Sequence, residues 1–345
     1  MNDQSKYIYD DELDEILKGV SRSFYLTLRF LPREIRPQVC IAYLIARASD
    51  TIADTYAIPA QNRIEYLIVL KNRIDGRYIK EFENVVSEFK VIKDSHCAES
   101  ERRLLNNIDR IISVMESFDE TDIELIRAVI RNITTGQELD LKRFSNSNFN
   151  NITCLNSDKE LDEYTYFVAG CVGEFWTKIC RNKLIYSAEI NENLFIENGI
   201  NYGKGLQLIN ILRDIPSDLK IGRCYIPVEM LNKHNLTPYD LTKPENEEKF
   251  RPLYNFYINR AYSFLNCGSD YIKMIPRTFA RLRIATSFPL IIGFKTLDKL
   301  LKENVLNPDV KIKISRSSVW GSVIFSILTY PFEPSFRRII SQKSF

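Results

Sequence analysis

The chain has 345 residues, enough for one large domain or two ordinary ones, and its 45% hydrophobic content supports a sizeable core. Its 47 lysines and arginines nearly balance 45 acids, for a net charge of +2, which argues against nucleic acid as a partner. Seven cysteines without a CxxC pair, and only two histidines, argue against a zinc site, and the odd count points to reduced thiols in a cytosolic protein.

The first residues, MNDQSKYIYDDELDEIL, are acidic and polar and lack a signal-peptide pattern, so a cytoplasmic location is expected. Helical periodicity dominates the remainder. Apolar spacing predicts helices near 10–19, 35–54, 61–76, 98–117, 121–144, 159–182, 202–215, 250–274, 277–302 and 315–328, with little strand-like alternation. No Pro-, Gly- or Ser-rich linker divides the chain and no repeat of fixed period occurs. An all-α, single-domain, monomeric protein spanning 1–345 is expected.

Ser21-Arg22-Ser23-Phe24-Tyr25 sets hydroxyls beside a guanidinium, a combination that binds phosphate oxygens but also serves as an ordinary helix cap. Pro37 stands where a helix start favours proline. The helix it opens carries Asp50 and Asp54 one turn apart, with Arg47 three residues before Asp50 on the same face. Taken alone, a local Arg–Asp pair on a helix surface accounts for this.

Further on, Gly170 and Gly173 remove side chains one turn apart, admitting a close helix or a ligand, with Tyr164 and Phe167 on the same face. The stretch Gln207-Leu208-Ile209-Asn210-Ile211-Leu212-Arg213-Asp214-Ile215-Pro216-Ser217-Asp218 then sets an amide, a guanidinium and two carboxylates in an apolar helix. Asn210, Asp214 and Asp218 share one face. Pro216 denies the Leu212 carbonyl its hydrogen bond, so the helix is expected to end or kink there, leaving Asp218 on a frayed end. Lys220–Pro227, with Gly222 and Arg223, reads as a basic flap able to close over phosphates.

The duplication turns these features into a site. Two apolar helices about 160 residues apart each carry an arginine and an Asp-x-x-x-Asp pair. If the two face each other, their carboxylates repel unless cations lie between them. Mg²⁺ suits such oxygen ligands and shares its coordination with substrate phosphates, which makes a diphosphate the natural third component.

Residues 233–249 read as a polar surface loop. The apolar run Val319–Phe332, about 14 residues, falls short of the roughly 20 needed to span a bilayer and reads as a last core helix ended by Pro331.

The ordered motifs SRSF, AYLIARASDTIADT, YTYFVAGCVG and GLQLINILRDIPSD with GRCYIP resemble the squalene/phytoene synthase family over about residues 15 to 330. The resemblance implies an all-α terpenoid-synthase-like bundle around a central apolar cavity. It implies Mg²⁺-dependent head-to-head condensation of two prenyl diphosphates through a cyclopropyl intermediate. Asp50 and Asp54 match the first aspartate motif, and Asn210, Asp214 and Asp218 the second. Ser23, Arg47, Gln207, Arg213 and Arg223 match diphosphate or substrate contacts, and Tyr164 the tyrosine that handles the proton. Lys311, Lys313 and Arg316 resemble the late basic segment of NADPH-using members.

Ser217 stands where the family's second motif usually has an acid, and Asp50-Thr51 is more like the squalene-forming members. Squalene synthase is therefore the expected activity, with NADPH reducing presqualene diphosphate. Phytoene, dehydrosqualene and presqualene diphosphate synthases are the alternatives. The adjacent aspartates of chain-elongating prenyltransferases and the second motif of class I cyclases are both missing, and a non-catalytic scaffold would have no use for all four aspartates. The lipid product leaves room for membrane association without a transmembrane helix.

Overall fold

A computed structural model of the chain describes residues 9–21, 24–77, 81–91, 97–310 and 312–341, so Ser23 and Lys311 fall outside it, as does the side chain of Arg316. The chain divides into two compact units, 1–145 with 178–186, and 146–177 with 187–345.

In the first unit, α1 (Asp11–Ser21) and α2 (Phe24–Phe30) precede α3 (Arg36–Asp54), which has Pro37 in its first turn as expected. α4 (Ala60–Ile74) and α5 (Glu81–Val91) follow; α5 is absent from the sequence reading. The helix expected over 98–117 is two, α6 (Glu99–Asn106) and α7 (Ile108–Glu116). Asn107 separates them, because its side-chain amide takes the Arg103 carbonyl at 2.9 Å while its own N–H turns to Leu104. α8 (Glu120–Arg143) starts at Asp119, whose carboxylate accepts from the Asp122 N–H. α3 is the hub, packing on α4, α6, α7 and α8 through Ile41, Leu44, Ile45, Ala48 and Ile52, all buried.

The second unit begins with β1 (Thr153–Cys154) and α9 (Asp158–Thr165), then one wide π turn, Tyr166–Gly170, leading into α10 (Cys171–Lys183). α11 (Glu192–Lys220) is followed by β2 (Arg223–Cys224), α12 (Val228–Lys233), α13 (Glu247–Met274), α14 (Ala280–Leu300), α15 (Arg316–Thr329) and α16 (Glu333–Ile340). Two short 3₁₀ turns, Asp240–Thr242 and Pro244–Asn246, lie within the expected loop at 233–249. The single pairing of β1 with β2 is parallel. All seven cysteines are free of disulfides.

α11 lies against α13 and the π turn. Glycine permits the second contact, since a methyl on Gly203 would come 2.2 Å from the Ala169 carbonyl oxygen; on α10, one on Gly173 would come 1.9 Å from that of Gly199. What approaches Gly173 is therefore a helix backbone.

α11 does not end at Pro216 but continues to Lys220. Proline leaves the Leu212 carbonyl without its ladder donor. The hydroxyl of fully buried Tyr254, on α13, donates to that carbonyl at 3.2 Å. The acceptor is satisfied, so the turn carrying Asp218 stays helical. Tyr254→Phe removes this donor and should lower stability by about 1–3 kcal/mol in urea denaturation. An unchanged midpoint would show that the carbonyl is satisfied by other means.

Candidate active site

Each aspartate motif is set by its own unit. On α3 the apolar residues point inward, which leaves Arg47, Asp50 and Asp54 on the other side. Gln137 of α8 donates through Nε2 to Asp50 at 2.6 Å and to Ser49 Oγ at 3.1 Å. Arg47 binds Glu101 of α6 and lies 3.8 Å from Asp50. The Asp50 side chain keeps an open edge, 45% exposed, yet the protein around it desolvates it. That desolvation, with the like charge of Asp54, pushes its carboxyl up to about 7.

Two atoms here lack partners. Gln137 Oε1 and Arg47 Nε are buried without a hydrogen bond among the described residues. An orphan acceptor suits a water on a cation, and an orphan guanidinium N–H suits an anionic oxygen. Together with two carboxylates one turn apart, this donor set fits Mg²⁺ and a phosphate. Among the described residues no group of three or more His, Cys, Asp or Glu is placed to hold a metal ion by itself. Gln137 was missed by the sequence reading, since a lone glutamine on a helix carries no signal.

In the second unit Gln207, Asn210, Arg213, Asp214 and Asp218 are half-buried on α11, while Leu208, Ile211, Leu212 and Ile215 are buried. Arg213 grips Asp214 bidentately, Nε to Oδ1 at 2.9 Å and Nη2 to Oδ2 at 2.6 Å. Asn210 donates to Gln207 at 3.3 Å. The Ser217 hydroxyl turns back to the Asp214 carbonyl at 2.7 Å, so the position that usually holds an acid in the resembled motif presents no ligand.

The flap is pinned rather than loose. Thr153 N–H donates to the Gly222 carbonyl at 2.9 Å and Leu155 N–H to that of Cys224 at 3.1 Å. Gly222 is required at this point: its φ is +79°, and a Cβ would lie 2.3 Å from the Asn148 nitrogen. This stitching brings together three of the expected residues. Asp218 and Arg223 line one small pocket with Tyr225 and Ile215, and the Tyr225 ring stacks on Tyr164 with centroids 4.7 Å apart. α9, which carries Tyr164, is held by ions: Asp162 meets buried Lys204 at 2.5 Å, and Arg260 bridges Asp158 and Asp162. Near the C-terminus Lys313 is exposed.

A family model described as squalene/phytoene synthase matches residues 17–317. The chain is 28% identical over 323 residues to squalene synthase ERG9 of Saccharomyces cerevisiae, covering 90% of this chain and 66% of that protein. It is 26% identical to the squalene synthase of Schizosaccharomyces pombe, covering 91% and 64%. The chain thus spans just under two thirds of the length of these relatives. Among solved structures, TcSQS with a bound ligand superposes with a TM-score of 0.75 at 20% identity, covering 96% of this chain and 89% of that one, which establishes the shared all-α fold.

Proposed function

The chain belongs to the squalene/phytoene synthase family, and from that premise we propose that it joins two farnesyl diphosphates head to head into presqualene diphosphate and reduces this to squalene with NADPH. The observation that carries the reading is the Asp50–Asp54 pair, whose neighbours Gln137 and Arg47 keep buried polar atoms in want of a partner.

Held by Asp50 and Asp54, and by Asn210, Asp214 and Asp218, Mg²⁺ would supply the positive charge that makes diphosphate a leaving group. The chain's own cations add to this: Arg47, Arg213 and Arg223, with Ser23 and Gln207, bind diphosphate oxygens. Apolar and aromatic walls keep water from the allylic cation, and ring faces attract it. Tyr164 accepts the proton whose loss closes the cyclopropane. Lys311, Lys313 and Arg316 would hold NADPH, which would supply hydride for the reductive half. Residues 1–345 act as one catalytic domain, a cytoplasmic monomer.

The test is mass spectrometry of products from farnesyl and geranylgeranyl diphosphate with Mg²⁺, each with and without NADPH. Squalene from farnesyl diphosphate only when NADPH is present is the expected outcome. One hydrocarbon regardless of NADPH would make the chain a dehydrosqualene or phytoene synthase, and a halt at the cyclopropyl diphosphate a presqualene diphosphate synthase. Tyr164→Phe keeps the stacking on Tyr225 and loses only the hydroxyl. Diphosphate release should persist while farnesol rises at the expense of presqualene diphosphate; an unaltered product ratio would move the base elsewhere.

A further inference from the structure

Helix α15, next to last in the described chain, is built inside out. Its inward positions are Val319, Ser322, Val323 and Ser326, all buried. Its outward positions are Trp320 (51% exposed), Ile324 (53%), Phe325 (56%) and Leu328 (66%), with Phe332 (66%) just beyond the helix end. Residues 320, 324 and 328 repeat at one-turn spacing and form a continuous stripe. The inward serines are tolerated because they find acceptors: Ser322 donates to the Ser318 carbonyl at 2.7 Å and Ser326 to that of Ser322 at 2.8 Å. Lys295 of α14 donates to the Ser318 and Ser322 hydroxyls as well. A core helix would carry the opposite pattern, so the expected last core helix is instead an apolar surface.

Basic residues outnumber acids in the sequence of this segment. From 311 to 345 the sequence has six lysines and arginines against one acid, Glu333. Glu333 is engaged by Arg277, Arg283 and Arg337, which leaves no uncompensated acid in this segment. Arg338 is exposed on α16. Between α14, α15 and α16 opens a cavity of about 520 Å³, walled by Ile291, Phe294, Lys295, Phe325, Arg338 and Ile339. Phe325 belongs to both cavity and stripe, so apolar walls and cations continue from one into the other.

We propose that the outer face of α15 lies on a bilayer of anionic lipids, with Trp320, Ile324, Phe325, Leu328 and Phe332 in the interface and the exposed Lys313 and Arg338 on the headgroups. An exposed apolar helix face with exposed cations on the flanking segments suits a helix lying in the plane of a membrane surface, and tryptophan favours that depth. No helix among the described residues is long and apolar enough to cross a membrane. The proposed docking stands on this surface whatever product the enzyme releases.

The experiment uses the full chain without substrate. Trp176→Phe leaves Trp320 as the only tryptophan. Mixed with vesicles of phosphatidylcholine and phosphatidylglycerol, this protein should co-float, with a blue-shifted Trp320 emission; pure phosphatidylcholine vesicles should bind it far less, and high salt should release it. Ile324→Asp with Leu328→Asp replaces exposed residues, so circular dichroism should be unchanged while vesicle affinity falls about tenfold or more. Arg338→Ala should cost about fivefold. No binding to either vesicle would overturn the proposal. So would a Trp320 blue shift that follows protein concentration without vesicles and is abolished by the same two aspartates, since the face would then bind a second copy of the chain.

Discussion

Asp50→Asn and Asp214→Asn should each lower turnover by about 10²–10³-fold, the cost of removing one preorganised electrostatic group from a charge-developing reaction. The structural side of the prediction separates this from misfolding. Asparagine at 50 still accepts the Gln137 amide through its side-chain oxygen, and it removes the charge whose desolvation, together with repulsion from Asp54, raises the Asp50 carboxyl to about 7. Asp50→Asn should therefore be no less stable than the parent at neutral pH, and no less helical. Asp214→Asn gives up the fork to Arg213, a partly exposed pair, and should change stability by about 1 kcal/mol or less. The measurement is Mg²⁺-dependent diphosphate release from farnesyl diphosphate beside urea denaturation of each variant. Full turnover in either variant would remove that aspartate from the chemistry. A folding defect matching the lost activity would give it a structural role instead.

Glu333→Ala should be the most destabilising single change, by about 3–5 kcal/mol, because it strands a buried cation. Arg283 is 1% exposed and forks onto Glu333 at 3.1 and 3.2 Å, with the rings of Tyr330 and Phe336 against its guanidinium. Arg337 binds the same carboxylate at 2.8 Å. Arg283 above all holds the Glu333 carboxyl down at about 2, against an ordinary 4.5. A depressed carboxyl contributes stability that is complete above 4.5 and lost as pH falls towards 2. Urea midpoints should thus drop across that window in the parent, with the Glu333→Ala variant lacking this component. Glu333→Gln, which keeps one acceptor for Arg283, should lose less than Glu333→Ala. Equal midpoints for parent and Glu333→Ala at pH 7 would mean that Arg283 finds another acceptor.

The helical class and the four aspartates were legible in the sequence for a physical reason. Apolar periodicity needs only local spacing, and carboxylates one turn apart on an apolar helix are locally anomalous wherever the helix packs. The same holds for Pro37 at the start of α3. What the sequence could not contain was the partner of each exception. Pro216 reads as a helix stop until the Tyr254 hydroxyl, 38 residues beyond it in the chain, supplies the missing donor. Gly173 reads as room for a packed helix, or for a ligand, until the Gly199 carbonyl found against it decides for the helix. Gln137 carries no signal on α8 until folding sets its amide on Asp50. The run from Val319 reads as core because it is apolar, and only the packing of α15 on its serine side turns that apolar face outward. Local pattern fixes which segments are helical and where charge is out of place; hydrogen-bond and packing partners distant in sequence decide what each irregular residue does.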